Sequence, residues 1–400
     1  MAFLNDNYSE LKDAFFFAAI RGKVTDFKSC HPDADIIHMG IGDVTLPLVP
    51  VVLAAMQEAV EDMGKKETFR GYGPEPGYPF LKEAISKWYR ERGLGIREDE
   101  IFIGEGVKSD IGNIKDIFSN GNNVLIPNPV YPAYVDVNMI SGSNIMYLDG
   151  NTGNHFLPLP EDISGITPDI IYLCSPNNPT GAVYNREQLS SWVEYANEAG
   201  AVILFDAAYE SFIQDSSLPR SIFEIPGAKT CAIEFCSLSK TAGFTGIRCG
   251  YTIVPQTLLR PDSKSDRVSL NKLWLRRQST KFNGVSYIIQ KGAAAVFTEE
   301  GQKQIKENID YYMENAHIIA DTLKEKGMEY YGGDNSPYIW LKSLQNMKSW
   351  DCFDYLLKEI EVVSVPGAGF GDNGEGFLRL SAFGSREDTL EAMRRWKNMV

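Results

Sequence analysis

The middle of the chain alternates short β-branched runs with longer amphipathic ones, and this alternation predicts the architecture. Strands are expected at Ile101–Gly104, Asn123–Pro127, Asn144–Leu148, Asp169–Ser175, Ala201–Asp206 and Thr230–Cys236. Helical periodicity covers Lys108–Ser119 and Arg186–Glu198 between them. The run AVILF (201–205) has no polar alternation, which suits a strand covered on both faces of a parallel sheet. Strands alternating with helices imply an open α/β sheet with right-handed crossovers.

The two ends read differently. Gly77–Gly93 predicts an amphipathic helix, with Phe80, Leu81, Ala84, Ile85 and Trp88 on one side. A long helix is expected over Gly301–Lys326, stopping at Gly327. Short strands then follow at Pro337–Lys342, Val362–Val365 and Phe377–Ala382, mixed with helices near 348–360 and 386–399. The expected division is an N-terminal arm with part of the small domain (1–50), a large domain (51–295) and a small α+β domain (296–400).

Composition narrows the function classes. With 39 Lys and Arg against 53 Asp and Glu, the net charge of -14 argues against a nucleic-acid binder or a basic membrane-surface protein. The six cysteines and four histidines are scattered without metal or redox spacing, so no metal site is expected. Lys12 and Asp13 interrupt the opening before any signal-like apolar run develops, and no stretch approaches the roughly 20 apolar residues of a membrane helix. A cytoplasmic protein is expected.

Four motifs carry candidate chemistry. SLSK (Ser237–Lys240) follows a strand and precedes Gly243, Gly246 and Arg248. A desolvated lysine beside another cation loses its proton more readily, and only the neutral amine attacks a carbonyl. Ser237, Ser239 and Arg248 together suit a dianionic phosphate. In FDAAYE (Phe205–Glu210), Asp206 ends the most apolar strand, where open α/β sheets bind ligands, and Tyr209 lies just beyond it. SPNNPTG (Ser175–Gly181) makes a rigid turn that aims Asn178 at one place. In GFLRLSAFG, Arg379 sits between Leu378 and Leu380; a strand arginine in a small lobe is costly unless it meets an anion such as a carboxylate. Each motif alone has an ordinary alternative: a polar turn, an N-cap aspartate, a plain loop, a solvent-facing arginine.

Glycine-rich nucleotide fingerprints are absent. GYGPEPG (71–77) has its last glycine one residue late, and GEGVKS (104–109) lacks the P-loop spacer. Gly106–Ser109 nevertheless leads into a helix whose free N–H groups favour phosphate.

GYGPEPGY, GEGVKSD, NPVYPAY, SPNNPTG, FDAAYE, SLSK with its arginine, and FLRLSAF occur in this order over about 300 residues. Together they resemble the fold-type I pyridoxal-phosphate aminotransferases. NDNYSELK, MGIGDVTLPL (39–48), SIFEIPGAKTCAIEFCSLSKTAGFTGIR and TKFNGVSYIIQKGA narrow the resemblance to the branch acting on LL-diaminopimelate, from about Asn5 to Ala382. The resemblance implies an α/β fold-type I transferase: a large domain with a mostly parallel central sheet flanked by helices, plus a small α+β domain. It implies a ping-pong transamination with pyridoxal 5'-phosphate, exchanging LL-diaminopimelate and 2-oxoglutarate for tetrahydrodipicolinate and glutamate.

By the same resemblance, Lys240 carries the internal aldimine and shuttles the proton, with Asp206 on the pyridine nitrogen. Asn178 and Tyr209 bond the ring oxygen, and Tyr131 stacks on the ring. Ser237, Ser239, Arg248, Lys108 and Ser109 hold the phosphate, while Tyr72 and Asn283 reach across a homodimer interface into the partner's site. Arg379 clamps the substrate α-carboxylate beside Gly42, and Lys108, Tyr131, Asn178, Asn283 and Phe15 also face substrate. Phe15 stands where most members carry a tyrosine, Val107 where alanine is usual, and Cys249 where leucine is common. Another amino-acid aminotransferase (aromatic or aliphatic), a β-eliminating lyase on the same fold and a non-enzymatic cofactor-binding module stay open at this point.

Overall fold

The computed structural model describes residues 2–11, 16–264 and 266–399. Among these, the largest sheet has seven strands: β1 (Ile101–Gly104), β2 (Asn123–Asn128), β3 (Asn144–Asp149), β4 (Ile170–Cys174), β5 (Val202–Asp206), β6 (Ala232–Ser237) and β7 (Gly250–Ile253). Their order is β1-β7-β6-β5-β4-β2-β3. The pairs among β2 to β6 are parallel, and β7 runs antiparallel to both its neighbours. Every residue of β4 and β5 is buried, as their unbroken apolar runs require.

β1 to β6 lie within two residues of the expected boundaries, whereas β7 was not anticipated. Its sequence, GYTI, is four residues long and opens on glycine, so it does not stand out as an apolar run. The expected helix at Lys108–Ser119 is shorter: α-helix covers Val107–Ile114, followed by one 3₁₀ turn at Lys115–Ile117. The Arg186–Ala199 helix matches its pattern. Asn185 caps it by accepting from the Gln188 N–H, Leu189, Trp192, Val193 and Ala196 face inward, and Gly200 closes it at φ 71°. The pattern also named no helix over Phe16–Cys30, Pro50–Met63, Leu270–Lys281 or Tyr287–Val296, yet all four form.

A second sheet is antiparallel, with strands in the order Tyr330–Gly332, Tyr338–Lys342, Phe377–Ser381 and Val365–Pro366. The single strand expected at Val362–Val365 is in fact two. Val365–Pro366 joins this sheet, while Val362–Val363 pairs in parallel with Ile37–His38 from the N-terminal segment. Arg395 reinforces that junction by reaching both Asp35 and Glu361. The long helix Glu299–Glu325 starts at a Thr298 cap and packs on this layer. At its middle, fully buried Asn315 donates to the carbonyls of Ala382 (3.1 Å) and Gly384 (3.0 Å). No helix among the described residues is long and apolar enough to cross a membrane.

Asn315→Ala strips both carbonyls of their donor inside the core. A loss of roughly 1–3 kcal/mol is expected, read as a lower urea midpoint with an unchanged slope.

Candidate active site

Because β2, β4, β5 and β6 run the same way, the segments after them leave on one edge of the sheet, and β1 ends there too. Tyr131 follows β2, Asn178 follows β4, Asp206 ends β5, and Lys240 lies three residues beyond β6. Strand register places Asp206 opposite Cys174 on one side and Phe235 on the other. Side chains 28 to 109 residues apart in sequence thus come to the carboxyl ends of the strands, where such sheets bind ligands.

Lys240 sits in a short helix, Leu238–Ala242, that Ser237 caps through its hydroxyl. The Lys240 Nζ donates to the Gly42 carbonyl, lies 3.9 Å from Asp43 Oδ1 and stands 5.7 Å from the centre of the Phe383 ring. Burial lowers its ammonium to about 8; Asp43 opposes this, and the charges of Arg379 and Arg248 add to it. This is how an amine becomes nucleophilic near neutral pH.

Asp206 is buried, and burial raises its carboxyl to about 6 against two hydrogen bonds that hold it down. Oδ1 accepts from the Ala208 N–H at 2.9 Å, and Oδ2 accepts from the Tyr134 hydroxyl. Tyr131 stands edge-on to Tyr134 at 5.8 Å, and burial followed by the Asp206 charge raises its phenol to about 12.

Arg379, on the strand Phe377–Ser381, is only 2% exposed. Its Nη1 donates to Asn178 Oδ1 at 2.7 Å, and its Nη2 donates to the Gly40 carbonyl at 3.1 Å. The guanidinium also lies 4.4 Å from the centre of the Tyr338 ring and 5.0 Å from that of Phe370. Nε is buried without an acceptor, which leaves a donor for an incoming anion. Tyr209 meets Tyr338 hydroxyl to hydroxyl at 2.9 Å, and a Cβ on Gly42 would come 3.4 Å from Arg379 Nη2.

A cationic corner lies beside Lys240. Arg248, held at φ 58°, donates through Nη1 to Ser239 Oγ at 3.3 Å. Gly106, at φ 112° where the Val107–Ile114 helix begins, lets the backbone approach: a Cβ there would sit 2.9 Å from Arg248 Nη2. Ser109 Oγ donates to Glu105 at 3.3 Å and accepts from Asn113 at 3.2 Å. Lys108 lies close enough to Asp136 to oppose the rise that burial imposes on that carboxyl.

Not every expected residue joins this cluster. Tyr72 is 93% exposed, and Asn283 is exposed as well. A Cβ on the neighbouring Gly284 would sit 3.3 Å from the Pro74 carbonyl, so the two segments lie side by side on the surface. Phe15 lies outside the described residues. Sequence reasoning missed Tyr134, Tyr338, Gly40 and Asp43. Tyr134 does lie within NPVYPAY, but nothing local reveals its bond to Asp206.

The fold and this edge define an aminotransferase. Residues 34–395 match the family model for aminotransferase class I and II, and the chain belongs to that family. Over the full length of both chains it is 51% identical to the LL-diaminopimelate aminotransferase of Parabacteroides distasonis and 50% identical to that of Bacteroides fragilis. The solved L,L-diaminopimelate aminotransferase of Chlamydomonas reinhardtii superposes with a TM-score of 0.92 at 40% identity, covering 99% of this chain and 98% of that one.

In the ligand-free chain, labelling of Lys240 by an amine-directed reagent should rise through about pH 8. Asp43→Asn removes a charge that favours the ammonium, so the midpoint should move to lower pH, as peptide mapping of the labelled lysine would show.

Proposed function

We propose that the chain is a pyridoxal 5'-phosphate-dependent aminotransferase that takes the amino group of LL-diaminopimelate to 2-oxoglutarate and, in reverse, aminates tetrahydrodipicolinate from glutamate. The observation that carries this reading is an amine with lowered basicity, Lys240, just beyond β6, the strand that pairs in parallel with β5, which the buried carboxylate Asp206 ends. The relatives' shared name supports the substrate. The residues fit such a cofactor. Asp206 has only two donors on a carboxylate able to accept about four, and Gly106 opens a cradle bare of side chain under Arg248.

When bound, the cofactor supplies an electron-accepting ring that takes up charge from the substrate α-carbon. Lys240, released from Gly42 and Asp43, gives and takes the proton at that carbon. Asp206 would hold the ring nitrogen protonated, Tyr131 would lie against the ring, and Asn178 and Tyr209 would bond the ring oxygen. The phosphate would be held by Ser237, Ser239 and Arg248 with the helix start at Lys108 and Ser109. Arg379 takes the substrate α-carboxylate beside Gly42, its Nε free for the purpose and its fork aimed by Asn178. Excluding water from this corner strengthens each of these contacts.

The reading includes a cytoplasmic homodimer with shared sites. Tyr72 and Asn283 have no role within one chain's cluster and stand exposed on adjoining segments, as residues serving a partner's site would.

The deciding assay asks whether 2-oxoglutarate is converted to glutamate with LL-diaminopimelate as donor. Turnover with that isomer and little with the meso form is expected; equal use of both, or ammonia release without a keto-acid acceptor, would refute the assignment. Arg379→Ala should cut kcat/KM by about tenfold to a hundredfold or more, as loss of a charged hydrogen-bonded contact does.

A further inference from the structure

Asp206 owes its ionised state to very little. Burial works against the charge, and what opposes burial is one backbone N–H, from Ala208, and one side-chain donor, Tyr134. The other groups facing it do not help: the Cys174 thiol on β4 and the Tyr131 hydroxyl each feel its negative charge, and its β6 partner is Phe235. Tyr134, 1% exposed, is also held in one orientation. Its ring stacks on Tyr172 at 5.0 Å and meets Tyr131 edge-on. Its carbonyl accepts from Asn138 Nδ2 at 2.8 Å, and the same amide donates to the Tyr172 hydroxyl at 3.0 Å. A phenol so packed has no water to turn to; of the two groups that hydrogen-bond with its hydroxyl, Asp206 and the Cys174 thiol, the carboxylate is the stronger acceptor of its proton.

We propose that Tyr134 is a positioning residue for Asp206: its phenol keeps the carboxylate charged and oriented, and thereby sets the pH below which the site lets go of its cofactor. This rests on the functional reading above. A hydrogen bond to the charged form favours that form. Without it, the carboxyl holds its proton to higher pH and offers a neutral acid to the ring nitrogen.

The test uses full-length holoenzyme dialysed at a series of pH values from roughly 5 to 9, with retained pyridoxal 5'-phosphate read from its absorbance. Tyr134→Phe keeps the ring stack and removes only the hydroxyl. Its acid limb of retention should move up by about one pH unit, so that cofactor is held about tenfold more weakly on that limb and equally well at the alkaline end. Tyr172→Phe, which removes a neighbouring buried hydroxyl not bonded to Asp206, should leave the limb in place. In an Asp206→Asn background, Tyr134→Phe should add no further shift. The inference is overturned if Tyr134→Phe follows wild type at every pH, if Tyr172→Phe shifts the limb as far, or if the Tyr134 effect persists in the Asp206→Asn background. A wild type that never takes up the cofactor would instead overturn the functional reading, and this inference with it.

Discussion

The structure depends on strand direction. Once β2, β4, β5 and β6 run the same way, the connections after them leave from one edge, and whatever polar groups those loops carry must coexist there in low dielectric. Unlike charges in such a place are tolerated only with specific partners. Arg379 has an amide oxygen, a carbonyl and two ring faces; Asp206 has a phenol and a backbone N–H; Lys240 has the Gly42 carbonyl and Asp43. The chemistry is a property of that edge more than of any one residue.

The cationic corner at Arg248 shows a cost accepted for the same end. Arg248 is not a glycine, yet its backbone is in the left-handed region, a conformation of order 1–3 kcal/mol above the ordinary for such residues. The distortion brings its guanidinium to Ser239 and against the bare Gly106 backbone. A relaxed backbone there would aim the side chain elsewhere.

Much of this was legible from local pattern. Asp206 ends one buried strand and Lys240 lies three residues beyond another, so the strand positions also located them. Arg379 was noticed because it interrupts an apolar strand. What stayed hidden depends on partners far along the chain: Tyr134 bonds a residue 72 positions away, and the Gly40 carbonyl one 339 away. β7 was missed because glycine, tyrosine and threonine make no apolar signature in four residues, although its neighbours need it to close the sheet. VVSV reads as one strand because nothing in it marks the change of sheet at Ser364. Tyr72 and Asn283 were named through family likeness alone, and a single chain gives them nothing to touch in the cluster.

The two-residue ribbon between Ile37–His38 and Val362–Val363 has a temporal meaning. It brings the turn carrying Gly40 and Gly42, made early in synthesis, against Arg379, made almost last. A growing polypeptide therefore carries every strand of its largest sheet, and Lys240, well before it carries Arg379. A product truncated before position 379 keeps the amine and lacks the guanidinium that meets the Gly40 carbonyl.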